Sequence, residues 1–237
     1  MQRITAATRL DSPLLRLHHS KVFPFRLILA TLLFAVLFTL IQVGLLRIAF
    51  DKLGLSADSA MLLLICSLLG STINLPLFQL SAEPPPDPGW QPPLRLNPRL
   101  KVQPGKVIVA LNVGGGLIPI AFSLFLLTRN PLPPGQVVLA VGVVATVCYF
   151  VSRPIPQLGI GMPIFVAPIT AALMAMLLLP HQSAPLAYIC GTIGVLMGAD
   201  LGRLKDIRRL GAPVASIGGA GTFDGIFITG IVAVLLA

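Results

Sequence analysis

Two carboxylates stand where carboxylates are costly. Asp200 lies in Val195-Leu196-Met197-Gly198-Ala199-Asp200-Leu201, and Asp224 in Gly218-Gly219-Ala220-Gly221-Thr222-Phe223-Asp224-Gly225-Ile226-Phe227. Both stretches are apolar and glycine-rich enough to sit inside a bilayer, where ionisable side chains turn toward a protein interior or a water-filled cavity and often carry function. Three chemistries suit such a pair. Neighbouring carboxyls can share a proton, one accepting from water while the other donates to a carbonyl oxygen. They can bind protons or cations during transport. Each can also cap the open N–H groups of a helix start, which suits Asp224 after a glycine-rich turn.

The elements that position them are read from apolar runs. The chain has 237 residues, 55% hydrophobic and 11% charged, against about 25% charged in an ordinary soluble domain. The runs are long and lack the alternation of a membrane β-barrel. The expected fold class is therefore all-α: a polytopic helical membrane protein of about seven spans, some broken or re-entrant at glycine and proline. The spans read as Leu27 to Leu46, Ser59 to Leu75, Val107 to Leu127, Gln136 to Val151, Pro163 to Leu179, Ala184 to Leu201 and Val214 to Leu236. The first has the length that crosses ~30 Å of hydrocarbon, and its apolar core is longer than that of a signal peptide.

Basic residues orient the set. With the N-terminus in the cytoplasm, 14 of the 17 Lys and Arg fall inside, and only Arg47, Lys52 and Arg129 fall outside. This is the positive-inside pattern of a bacterial inner-membrane protein. It predicts a basic cytoplasmic tail over 1–26 and one transmembrane domain over 27–237. A cytoplasmic connector over 81–106 carries eight prolines, which favour an extended chain over a helix. The net charge of +9 is spread between spans, with one Trp and two Tyr, so a nucleic-acid partner is not expected.

Polar and helix-breaking residues mark the interior. Gly70-Ser71-Thr72-Ile73-Asn74-Leu75 runs into Pro76, which places Asn74 beside a helix end. Asn112 precedes Gly114-Gly115-Gly116 and Pro119, and Pro154 to Pro168 adds further breaks. Such segments either line a binding site or pathway or pack helices closely through small residues. Asn74 and Asn112 accordingly read as interhelical hydrogen-bond partners or as substrate contacts. Asp206, in Lys205-Asp206-Ile207-Arg208, reads as a solvated loop residue. His18, His19 and His181 have no second ligand at metal spacing, and Cys66, Cys148 and Cys190 show no pairing pattern, so neither a metal nor a cofactor is expected.

If Val214 onward is helical, Asp224 lies roughly 15 Å along that helix. If Gly218 to Gly221 form a re-entrant loop, it stands level with Asp200.

Gly198-Ala199-Asp200-Leu201, with Gly211-Ala212-Pro213 and the run from Ser216 to Phe227, resembles an uncharacterised family of prokaryotic integral membrane proteins, domain of unknown function 1614. A remoter resemblance is to presenilin-type and signal-peptide-peptidase-type intramembrane proteases. In those, one Asp lies in one helix and a second follows a Gly-x-Gly-Asp motif in the next. Asp200 is similar to the first and Asp224 to the second, with Phe223 in place of the glycine before Asp224. Those proteases also carry a downstream Pro-Ala-Leu motif that this sequence lacks after Asp224.

That resemblance implies an intramembrane di-aspartyl protease. Asp200 and Asp224 would be catalytic, and Gly221, Phe223, Gly225, Asn74 and Asn112 would contact membrane-protein or peptide substrates. The alternatives are a small-molecule or ion transporter with the same Asp and Asn residues, or a non-catalytic assembly partner; in every case the chain's surroundings are the lipid bilayer.

Overall fold

The computed structural model describes residues 23–82, 105–155, 159–209, 214–219 and 225–237, with side chains from residue 31 onward. Residues 1–22 of the basic tail, 83–104 of the connector, Pro156, Gly211 to Pro213, Gly221, Phe223 and Asp224 lie outside the described residues. The chain divides into two compact units, Met1–Val43 and Gly44–Ala237.

The first unit contributes the start of helix α1 (Phe23–Lys52). From Thr31 to Val43 every side chain is exposed, Leu33, Phe34, Phe38 and Ile41 among them. The Thr39 hydroxyl donates to the Ala35 carbonyl at 2.8 Å, the way a helix tolerates threonine in apolar surroundings.

The second unit is a helical bundle carrying a small sheet. After the end of α1 come α2 (Ala57–Gly70), α3 (Ile118–Arg129), α4 (Pro134–Val151), α5 (Val166–Leu178), α6 (Ser183–Val195) and α7 (Gly225–Leu236). α6 is the centre, packing against α3, α4, α5 and α7. Small residues allow this: Gly191 faces Ala171 of α5 and Ala233 of α7, while Gly194 faces Val144 of α4. Lipid is as apolar as a leucine side chain, so close van der Waals packing of this kind, rather than a hydrophobic driving force, holds such helices together. Outward faces stay apolar, with Val138, Phe150 and Leu177 each more than 70% exposed, the reverse of a water-soluble bundle.

Among the described residues three stretches are long and apolar enough to cross a membrane: Thr31–Lys52, Pro134–Val151 and Pro180–Leu201. The other apolar helices, Ala57–Gly70, Val113–Arg129, Val166–Leu178 and Gly225–Leu236, are shorter. At 1.5 Å per residue they extend roughly 18–26 Å, short of ~30 Å. The seven expected runs thus recur in order as helices, but three of them have full spanning length.

The all-α expectation is corrected by strands. β1 (Asn74–Ser81) pairs antiparallel with β2 (Lys106–Asn112), and β2 pairs parallel with a later strand (Val214–Ile217). A separate hairpin joins β3 (Arg153–Ile155) to β4 (Gly159–Gly161), so the later strand is β5. Three expected spans change as a result. The second ends at Gly70 rather than Leu75, the third begins as strand before turning helical at Val113, and the seventh begins as strand at Val214. Local chemistry explains these choices. Val107, Ile108 and Val109 are buried, β-branched residues of the central strand, and Pro76 sits on an edge strand beside a bulge, where its missing N–H is tolerated.

A second, smaller core lies apart from that of the bundle. Val107 and Ile207 share a small core with Ala82, Ile160, Leu204 and Ala215. At the C-terminal end of α7, the Lys52 ammonium donates to the Val234 and Leu235 carbonyls at 3.3 and 3.4 Å, and the Ser183 hydroxyl to the Ala237 carbonyl at 3.0 Å.

Candidate functional site

Two π-helical turns frame the site. One, Leu196–Leu201, prolongs α6 and carries Asp200; the other, Val113–Leu117, opens α3 and holds Gly114, Gly115 and Gly116. The extra residue of a π-turn widens the helix, and such turns are frequent at functional sites. Each is accommodated by glycine. A Cβ on Gly198 would strike the Ala145 carbonyl of α4, and one on Gly114 would strike the Ser67 carbonyl of α2.

Asn112 organises the first turn. Its Oδ1 accepts from the Gly115 amide at 2.8 Å, an N-cap. Its Nδ2 donates to the Ser71 carbonyl at 2.7 Å and to Asn74 Oδ1 at 3.1 Å. The Ser216 hydroxyl donates to the same Asn74 oxygen. Asn112 is buried and Asn74 half-buried. The two expected asparagines are therefore brought together, but they tie the sheet to a helix end and a π-turn instead of joining two helices.

Gly218 connects this cluster to Asp200. It follows β5 with φ +80°, and Gly219 follows at +88°, a left-handed pair that glycine adopts without a side-chain penalty. The turn aims the Gly218 amide at Asp200 Oδ2, 3.2 Å away. On its other side, a Cβ at Gly218 would lie 2.6 Å from the Gly116 nitrogen. Three segments remote in sequence converge here: the glycine π-turn, the end of β5 and the half-buried carboxylate of Asp200, which has further interactions of its own.

Asp224 and its neighbours Gly221 and Phe223 lie outside the described residues. Gly225 is the exposed first residue of α7, which packs against α6. Val214–Ile217 is strand, so the run from Val214 to Asp224 is not one continuous helix, and the 15 Å helical depth expected for Asp224 does not apply.

Asp206 departs from its expected solvated loop. It is half-buried in a 3-10 turn (Asp206–Arg209) and pairs with Arg203 at 3.3 Å. Arg203 in turn stacks over the Tyr149 ring at 4.5 Å and donates to the Tyr149 and Ser152 carbonyls at 2.8 and 3.0 Å. Nothing in the isolated sequence signalled this clamp. The nearest hint was an Arg three residues before an Asp, which positions the pair on one turn.

Among the described residues no three His, Cys, Asp or Glu side chains gather as metal ligands. The cysteines there are unpaired, Cys148 and Cys190 buried and Cys66 exposed.

Long apolar helices with apolar outer faces and a polar junction at one end are the architecture of a helical membrane protein. Residues 68–236 match the family described as protein of unknown function (DUF1614), and the chain belongs to that family. No curated protein and no solved structure matches it.

Proposed function

We propose that this chain is an inner-membrane protein, N-terminus in the cytoplasm, that hydrolyses peptide bonds within the bilayer through Asp200 and Asp224. The observation carrying this reading is the hydrogen bond from the Gly218 amide to Asp200 Oδ2. It holds one carboxylate against the glycine-rich segment that leads, six residues on, to the other. α7, whose first described residue is Gly225, directly after Asp224 in sequence, packs beside α6, which supports this reading.

In the reaction a water oxygen attacks the amide carbonyl carbon. One carboxylate takes the water proton while the protonated partner donates to the carbonyl oxygen. The resulting diol collapses: one hydroxyl proton returns to the partner carboxylate, the C–N bond breaks, and the leaving nitrogen receives the proton held by the first carboxyl. The two carboxyls titrate as a unit. Gly221, Phe223 and Gly225 would flank the scissile segment and Asn74 would contact its backbone, with Asn112 holding Asn74 in place. The close glycine-to-backbone packing at Gly114 and Gly198 supports a fixed site of this kind, since it locks α2 and α4 against the two π-turns.

The test compares Asp200→Asn, Asp224→Asn and the double variant in native membranes, reading membrane-protein cleavage fragments by proteomics. Equal loss of the same fragments in all three is expected, because residues acting as one unit are not additive. Unchanged fragments would remove the protease reading, and a changed solute or ion gradient in the same variants would install transport in its place.

A further inference from the structure

A second feature lies on the same end of the bundle and does not depend on the aspartates. The chain leaves the apolar Pro180–Leu201 segment and within four residues enters a basic turn. That turn and the edge strand β1 enclose a cleft of about 500 Å³, walled by Phe78, Leu80 and Leu204 and by Lys205, Asp206, Arg208 and Arg209.

Its charge is decided by where Asp206 points. That carboxylate is taken by Arg203, which stands outside the cleft and is itself anchored on Tyr149 and Ser152. The one acid of the lining is thereby paired with Arg203, and the lining's own cations are Lys205, Arg208 and Arg209. Lys205 and Arg208 are exposed and make no ion pair among the described residues. Beside them Phe78 is 44% exposed and Leu80 and Leu204 are half-buried, giving one wall that prefers hydrocarbon.

We propose that this cleft binds the headgroup of an anionic glycerophospholipid. The phosphate would sit on Lys205 and Arg208, with Arg209 at the rim, and the first acyl carbons would lie along Phe78 and Leu80. Basic pockets where spans meet the headgroup layer are suited to such lipids, and arginine suits phosphate through its forked donors. The apolar wall distinguishes a lipid from a free phosphate ion, which would gain nothing from it.

The test titrates phosphatidylglycerol and phosphatidylcholine onto the full chain in neutral detergent, counting bound lipids by native mass spectrometry. At about fivefold of surface attraction per cation, Lys205→Gln with Arg208→Gln is expected to weaken phosphatidylglycerol about 30-fold and leave phosphatidylcholine unchanged. Each single variant, about fivefold weaker, keeps the test decisive if the double variant fails to fold. Removing two cations that the expected topology puts on the other side of the membrane, Arg47→Gln with Arg129→Gln, should leave phosphatidylglycerol binding as it was. The proposal is overturned if the cleft variants bind normally, if the remote pair weakens binding equally, or if inorganic phosphate displaces the lipid at matched concentration.

Discussion

The Gly218 amide donates to Asp200 Oδ2 across 3.2 Å, so the turn after β5 and the π-turn that prolongs α6 are fastened at a single atom pair. The fastening needs glycine at 218 for two separate reasons, a left-handed φ and the backbone of Gly116 on the far side.

Gly218→Ala should therefore lower stability by about 2 kcal/mol, combining left-handed strain with overpacking. Thermal unfolding of the purified protein in detergent measures it. An alanine variant as stable as the parent would show that the turn is not constrained as described.

Asn112→Ala removes a helix cap and two buried donor contacts at once, and should cost roughly 2–4 kcal/mol. Asn112→Asp keeps the acceptor for the Gly115 amide but sets a buried carboxylate oxygen against the Ser71 carbonyl and Asn74 Oδ1, so it should cost at least as much as alanine. A double-mutant cycle with Asn74→Ala should return a coupling of about 1 kcal/mol; strict additivity would mean the two side chains do not meet.

Gly194 and Gly198 make a controlled comparison on one helix face. A Cβ on Gly194 meets the Val144 side chain at 2.6 Å, whereas one on Gly198 meets the Ala145 backbone. Each alanine variant should lose about 1–3 kcal/mol. Val144→Ala should restore most of the loss at 194, and no substitution at 145 should restore the loss at 198. Rescue at both positions, or at neither, would contradict the packing of α4 on α6.

Lys52→Met should fray the end of α7 by about 0.3–1 kcal/mol, since it deletes a cation from the carbonyl end of a helix. Faster amide exchange confined to residues near Val234 and Leu235 is the expected signature, and protection unchanged there would argue against the cap.

Much of the helical framework was legible because apolar runs and prolines act locally. The order of the helices and a helix end ahead of Pro76 follow from neighbours within a turn or two. The sheet was not. Lys106 to Asn112 is a short β-branched run that periodicity alone cannot separate from a buried helix, and its parallel partner Val214–Ile217 lies about a hundred residues away. The π-turns were equally hidden, because what permits them is the bare backbone of Ser67 and Ala145 on neighbouring helices. Asn74 was rightly marked as polar and near a helix end, yet its partners came from β2 and β5, which no local pattern announces.

The β1–β2 pairing has a practical corollary for handling this protein. Ser81 stands opposite Lys106, and the Ala82 amide donates to the Gly105 carbonyl at 2.8 Å. The described residues on either side of the stretch numbered 83–104 thus stand opposite each other at the end of the sheet. Closing a loop costs only about 0.6 kcal/mol more for each doubling of its length. That stretch is consequently the place to splice in an epitope, a protease site or a fluorescent domain, because the rungs on either side keep their register whatever is threaded between them.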